Sequence, residues 1–260
     1  MIRYADMSLY KQAYELFDEV FDEDKRFNEY FFKNIFDINN LLVCMKDNVI
    51  ASMVQTIPYE IQKIGRVTYI YGAATRPEYR NQGLMSKLLN KSFEIDKQKG
   101  FTGSILIPAN ESLFEFYANF GYKKAFYKNI RFYKNKPGKI MPVSIDSFGQ
   151  INAVYEKAFS NAAHTVRTKE YWQQQIKMFS ELGGFVFQND DSYAFGWLND
   201  KPEIQELIGD HKDELAGTLA NYFNVQEIKA STAGEETAAG VIKLYNGDKC
   251  EKMYLNLMFN

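Results

Sequence analysis

The order of hydrophobic periods repeats once along this 260-residue chain, and that repetition constrains the fold more than any other feature. The first half opens with a strand over residues 2–5. A helix follows, with Asp6 or Ser8 as its cap and Leu9, Ala13, Leu16, Phe17 and Val20 at helical spacing. Asp22, Glu23 and Asp24 interrupt it, and a second helix runs over residues 25–36. The period then changes to that of strands, at residues 41–45 and 49–56, joined by the turn pair Asp47-Asn48. Residues 57–64 stay extended, and residues 67–74 form a further strand. A helical face over 84–97, a short strand at 104–107 and a helix at 111–120, ended by Gly121, come next, and 122–133 reads as a hairpin. After a Lys-rich linker at 134–142 the order recurs. Helices fall at 147–159 and 168–178, strands at 184–188, 193–198 and 203–208, a helix at 212–223, and strands at 225–230, 240–245 and 252–259. The pattern predicts two copies of one α/β unit, 1–135 and 136–260.

Composition narrows the partners. A net charge of −2 offers no basic field for nucleic acid. Two cysteines, Cys44 and Cys250, lack metal-ligand spacing and make no disulfide framework, which fits a reducing cytoplasm. No stretch approaches the ~18 apolar residues of a membrane span, and no leader pattern precedes Asp6. The expectation is a cytoplasmic protein without a metal or a membrane anchor. The 16% aromatic content reads as core, with a cleft or a homo-oligomer interface left open.

The segment that carries chemistry runs from Tyr69 to Met85. An apolar strand ends, a polar loop turns, and a helix begins at Gly83. The first amides of a helix lack helical partners and point outward together at the positive end of the macrodipole. Gly83 lets a phosphate approach them, and Arg80 adds a compensating charge. Arg-x-x-Gly alone is common. Its context is not: some twenty residues on come the buried strand 104–107, then Asn110, then a helix carrying Phe116-Tyr117.

This ordered set resembles the GNAT superfamily of acetyltransferases. The pattern Pro77-Glu78-Tyr79-Arg80-Asn81-Gln82-Gly83-Leu84-Met85, with a bulky Met85 where most members have Gly or Ala, resembles the Eis-type members, whose tandem units run nearly the length of this chain. Val166-Arg167, Tyr171-Trp172 and Ala194 to Trp197 look similar to their second unit. The resemblance implies two GNAT-like units, each a mixed, mostly antiparallel sheet flanked by helices. Residues 1–135 would be catalytic and 136–260 degenerate. It implies acetyl-CoA on Ala73, Ala74, Thr75, Arg80, Asn81, Gln82, Gly83, Leu84, Met85 and Asn110, and Tyr117 as the acid that protonates the departing thiolate. It also implies acceptor-binding residues Asp22, Glu23, Asp24 and Phe27, because the loop between the first two helices borders the acceptor channel there. The amine is expected to arrive between the halves past that loop. Eis-type chains usually continue into a sterol-carrier-like domain, and in them the terminal carboxylate lies in the active site; this sequence ends at Asn260.

The implied reaction moves an acetyl group from acetyl-CoA to a primary amine of a small or polyamine-like molecule. A CoA-binding sensor and a protein-lysine acetyltransferase are the alternatives. The general base is open among Tyr69 or Tyr71 through water, Glu60 and the terminal carboxylate, since residues 67–74 hold no Glu. His164 and His211 read as structural. The second junction, residues 207–214, carries Asp210, Asp213 and Glu214 in place of an Arg and a Gly, which opposes a pyrophosphate.

Overall fold

The structure, a computed structural model, describes residues 1–21, 24–247 and 253–256. In chain order the elements are β1 (Ile2–Tyr4), α1 (Tyr10–Val20), α2 (Lys25–Asn34), β2 (Leu41–Lys46), β3 (Val49–Ile61), β4 (Gly65–Thr75), α3 (Leu84–Gln98), β5 (Gly103–Leu106) and α4 (Glu111–Ala118). There follow β6 (Lys123–Lys134), β7 (Met141–Pro142), α5 (Phe148–Ala158), α6 (Lys169–Leu182), β8 (Gly184–Gln188), β9 (Ser192–Leu198), β10 (Pro202–Gly209), α7 (Lys212–Tyr222), β11 (Glu227–Ala233) and β12 (Thr237–Leu244). No helix among the described residues is long and apolar enough to cross a membrane.

Two compact units emerge, but they are not the sequential halves 1–135 and 136–260. One holds residues 1–123 with 241–247; the other holds 124–240 with 253–256. In the first, the sheet runs β1-β2-β3-β4-β5 and is extended by the end of β12, whose Val241–Leu244 pair antiparallel with Leu106–Gly103. In the second it runs β6-β11-β10-β9-β8-β7. Among the ladders between these described strands, β4/β5 and β10/β11 are parallel and the others antiparallel. The sixth strand of each unit therefore comes from the stretch that sequence reading had assigned to the other. The hairpin expected at 122–133 is instead the single strand β6, paired with β11 from Lys128 to Lys134. Its polar midpoint Asn129 is not a turn residue. The Asn129 Oδ1 accepts the amides of Glu235 and Glu236, closing the turn that leads into β12.

Local chemistry explains the elements of the first unit. Asp47 and Asn48 both take positive φ (48° and 64°), the twist a two-residue hairpin loop demands. Helix α1 buries Ala13, Leu16 and Phe17 at helical spacing, and Phe17 stacks on Phe31 of α2 with centroids 5.3 Å apart. These helices cover one face of the sheet, whereas Leu88, Leu89 and Phe93 of α3 and Tyr117 of α4 cover the other. Much of the aromatic content is core.

In the second unit, Leu215, Ala216, Leu219 and Ala220 of α7 pack on Ala194 and Leu207, and Trp172 of α6 packs on Tyr193 and Phe195. At its centre the fully buried Arg167 forms two ion-pair hydrogen bonds to Glu206, at 2.7 and 2.8 Å. The hydroxyls of Tyr193 and Tyr254 donate to the same carboxylate, and Arg167 lies over the rings of Tyr155 and Trp172. Its Nη2 also donates to the Asn256 carbonyl, which ties residues 253–256 into this unit. Such a pair is tolerable in a core only because its hydrogen-bonding capacity is nearly filled.

Candidate active site

The first unit opens where β4 and β5 part company. Their parallel pairing covers only Val67–Tyr69 against Gly103–Ile105, while β4 runs on to Thr75. Just beyond, Gly72 (φ 57°) and Ala73 face the single residue Val54 of β3, a β-bulge between the pairs Gln55↔Tyr71 and Met53↔Ala74. Gly72 is required there, because a Cβ would stand 2.9 Å from the Phe17 ring at positive φ. The Arg76 amide returns to Ala51 on β3, so Thr75 just before it presents its N–H and C=O to the opposite, open side. A strand edge that β5 does not pair results, the kind of edge an extended amide-bearing chain can join.

Below that edge the polar loop turns into α3. Asn81 (φ 60°) and Gly83 (φ 69°) are both left-handed, and Gly83 caps α3 with no side chain to accept its first-turn amides. Those of Leu84, Met85 and Ser86 thus face outward at the positive helix end. A Cβ at Gly83 would meet nothing within 4 Å, so the space above it is open. Arg80 donates from Nε to the Thr75 carbonyl at 3.2 Å, leaving its terminal nitrogens unengaged among the described residues. These features are those of an anion site.

One cleft of about 590 Å³ joins the two features, lined by Val20, Ala73, Thr75, Tyr79, Arg80, Asn81, Gly83, Leu84, Met85, Ser86, Leu113, Phe116 and Tyr117. Tyr117 packs edge-on against Phe116 and Tyr122, and burial pushes its phenol up to about 12. Its hydroxyl has no hydrogen-bond partner among the described residues. A protonated phenol thus borders the same cleft as the anion site.

Of the residues expected at a cofactor, Ala73, Thr75, Arg80, Asn81, Gly83, Leu84, Met85 and Tyr117 come together here. Three do not line the cleft. Ala74 points its side chain into the core beneath α1 and α2. Gln82 turns away to Lys46 Nζ at 2.6 Å and the Glu78 carbonyl. Asn110 caps α4, its Oδ1 accepting the Leu113 amide at 3.2 Å. On the acceptor side, Asp24 caps α2 through the Phe27 amide, and Phe27 stacks on Phe31 at the edge of the core. Asp22 and Glu23 lie outside the described residues, as do Cys250 and Asn260. Sequence reasoning missed Val20, Tyr79, Ser86, Leu113 and Phe116. Leu113, Phe116 and Tyr117 share one face of α4 at i, i+3 and i+4, a signal open to reading; Val20 had none.

The candidate bases fare poorly. Burial raises the Tyr71 phenol far beyond its ordinary range, so it stays protonated. Glu60 sits opposite Arg66, nine residues before Thr75 on β4, roughly 30 Å away along the strand. His164 and His211 belong to the second unit, where His164 packs against Tyr155 and Phe159. Among the described residues no group of His, Cys, Asp and Glu is arranged to hold a metal.

The corresponding junction of the second unit is built differently. The β10/β11 pairing continues to Leu207↔Thr232, close to the end of β10. The α7 N-terminus carries Asp213 and Glu214 in its first turn, and its cap His211 touches the Asp191 carboxylate. That contact raises the His211 pKa above its ordinary 6.5. A group protonated more readily when folded stabilises the fold fully below about pH 6.5 and loses that effect as pH rises through its folded pKa. Melting temperatures of wild type and His211→Gln should differ most near pH 5–6 and converge above pH 8. A gap that widens with pH would contradict the pairing.

No curated protein sequence matches the chain. Solved structures do share its fold. A probable N-acyltransferase from Enterococcus faecalis, a conserved protein of unknown function, is similar at 14% identity and TM-score 0.72, over 94% of this chain and 72% of that one. A GCN5-related N-acetyltransferase from Kribbella flavida is similar at 12% identity and TM-score 0.73, over 94% and 71%. Eis1 from Mycobacterium abscessus is similar at 11% identity and TM-score 0.67, over 94% and 73%. Residues 1–125, which hold the parted strands, the uncapped helix and Tyr117, match the family described as acetyltransferase (GNAT) domain.

Proposed function

We propose that the first unit binds acetyl-CoA and transfers its acetyl group to a primary amine of a small or polyamine-like acceptor. The observation that carries this reading is the single cleft that joins an unpaired strand edge, an anion-binding helix start and a buried phenol. The helix start and Arg80 would take the pyrophosphate, and the β4 edge at Ala73 and Thr75 would take the amides of the pantetheine arm. A neutral amine attacks the thioester carbon. The C–N bond forms while charge collects on the carbonyl oxygen, facing strand-end amides such as that of Thr75. The C–S bond then breaks, sulfur takes the Tyr117 proton, and the nitrogen releases one proton to solvent or to the Tyr117 phenolate, leaving the amide and free CoA. A phenol at about 12 against a thiol near 8.5 makes this transfer uphill by about 5 kcal/mol if the thiol keeps its water value. The burial that raises the phenol raises the thiol as well, which narrows the gap. Among the described residues that line the cleft there is no carboxylate or histidine, and the attacking amine must reach the thioester unprotonated.

Val20, the last residue of α1, lines the cleft, which supports an acceptor approach past the end of that helix. The acidic residues that follow it in sequence, Asp22, Glu23 and Asp24, would favour a cation. The two similar units, with acidic residues at the second helix start, support an Eis-type tandem arrangement whose second unit is degenerate. CoA release from acetyl-CoA in the presence of spermidine, an aminoglycoside or a lysine peptide tests the reading. CoA binding without release in any of them would leave a sensor. Equilibrium dialysis should give one CoA per chain, and a stoichiometry of two would contradict a degenerate second unit.

A further inference from the structure

We infer that Lys243, on the terminal strand β12, is a positioning residue for the Tyr117 acid, so that the site in the first unit depends on the far end of the chain. The inference rests on the acetyltransferase reading above. The match to the domain family stops at residue 125, yet residues 241–247 belong to the compact unit that holds the cleft. Strand β12 lies so close to β5 that a Cβ at Gly103 would stand 2.6 Å from the Lys243 carbonyl. From there the Lys243 Nζ donates to the Phe120 carbonyl at 2.6 Å.

Phe120 lies in the turn that ends α4. Its amide donates to the Tyr117 carbonyl at 2.9 Å, and the Tyr122 amide reaches the same oxygen at 3.4 Å. The ammonium thus holds the turn built on the Tyr117 backbone. Helix α4 spans eight residues and has no basic residue in its own last turn. So short a helix does not hold its shape alone, and Lys243 supplies the positive charge its C-terminal end favours.

A second line of contact reaches the ring. Tyr117 packs on Tyr122, Tyr122 on Phe93, and Phe93 on Tyr245, with centroids 5.7, 6.0 and 6.0 Å apart. The two further hydroxyls along it are anchored, Tyr122 to Ser104 at 2.7 Å and Tyr245 to the Asp96 carboxylate at 2.6 Å. Lys243 Nζ itself sits 5.1 Å from the Phe93 centroid. Backbone and ring of the acid are both braced by the terminal strand.

The test combines Lys243→Ala, Lys243→Arg and Tyr117→Phe in the full chain. Turnover is read as CoA release from acetyl-CoA with spermidine, an aminoglycoside or a lysine peptide, and CoA affinity by calorimetry. Lys243→Ala should lower kcat by about tenfold, in line with a small misplacement of a reacting group, while CoA affinity holds. Lys243→Arg should restore most of it. The double variant Lys243→Ala/Tyr117→Phe should be no slower than Tyr117→Phe alone, because the two changes disable one group. Independent of any acceptor, the Tyr117 ¹³Cζ resonance, assigned by its loss in Tyr117→Phe, should move in Lys243→Ala and return in Lys243→Arg. An unmoved resonance, or additive losses in the double variant, overturns the positioning role. A fully active Tyr117→Phe overturns the acid assignment instead. A chain that binds CoA but never releases it from acetyl-CoA ends the enzyme reading, and the resonance still decides whether Lys243 positions the ring.

Discussion

Gly83→Glu should abolish CoA binding. The substituted side chain would project into the open space above the α3 N-terminus, where no described residue other than its chain neighbours lies within 4 Å of the Cβ position. Its carboxylate would occupy the anion site and repel the pyrophosphate, and its backbone would bear left-handed strain of about 1–2 kcal/mol. The strain and the charge can be separated. Gly83→Ala carries the same strain without the charge, so it should weaken binding only modestly. Arg80→Ala should weaken it by about 1–3 kcal/mol, the range for a lost charge-assisted hydrogen bond. Calorimetric titration with CoA reads all three. A dissociation constant unchanged in Gly83→Glu would remove the basis for placing the pyrophosphate on this loop.

Tyr117→Phe should leave CoA affinity intact and slow acetyl transfer by about 10²-fold, the usual contribution of a positioned general acid. The ring packing against Phe116 and Tyr122 survives the change, so lost turnover would report the lost proton rather than a disturbed helix. The pH profile adds an independent reading. With the phenol raised to about 12, the acid stays protonated across the working range, and kcat should show no alkaline loss of its own below about pH 10. A descending limb near pH 8–9 that disappears in Tyr117→Phe would contradict the buried, protonated acid. Equal rates in the two proteins at saturating substrate would reduce Tyr117 to a packing residue.

Most elements could be read from local pattern, because each depends on residues near one another. Asp47-Asn48 announced its hairpin, Gly121 the end of α4, and the spacing from Leu84 to Ile95 the face of α3. The cleft was readable for a similar reason. Arg80, Gly83 and Met85 sit on one loop, and Tyr117 is placed by the helix that follows the next strand. Asn110 and Asp24 show the limit of that reading: a polar residue just before a helix serves equally as a ligand or as a cap, and here both side chains accept an amide of their own helix.

The sequence by itself determined two α/β units, a helix start suited to an anion and a tyrosine downstream of it. Periodicity and turn chemistry act over a few residues and need no partner. Only the tertiary structure decided where each unit's sheet ends. Strand β6 lies beside β11, and the close of β12 lies beside β5. A strand's alternation specifies which face is buried but not which neighbour takes up its backbone hydrogen bonds, so pattern alone does not say which sheet edge a strand joins. The same indifference hid Lys243. Its bond to Phe120 spans 123 residues, and in sequence it is one lysine in an apolar, strand-like stretch. What distinguishes it is the carbonyl it meets, which it reaches only once β12 has docked on the first unit.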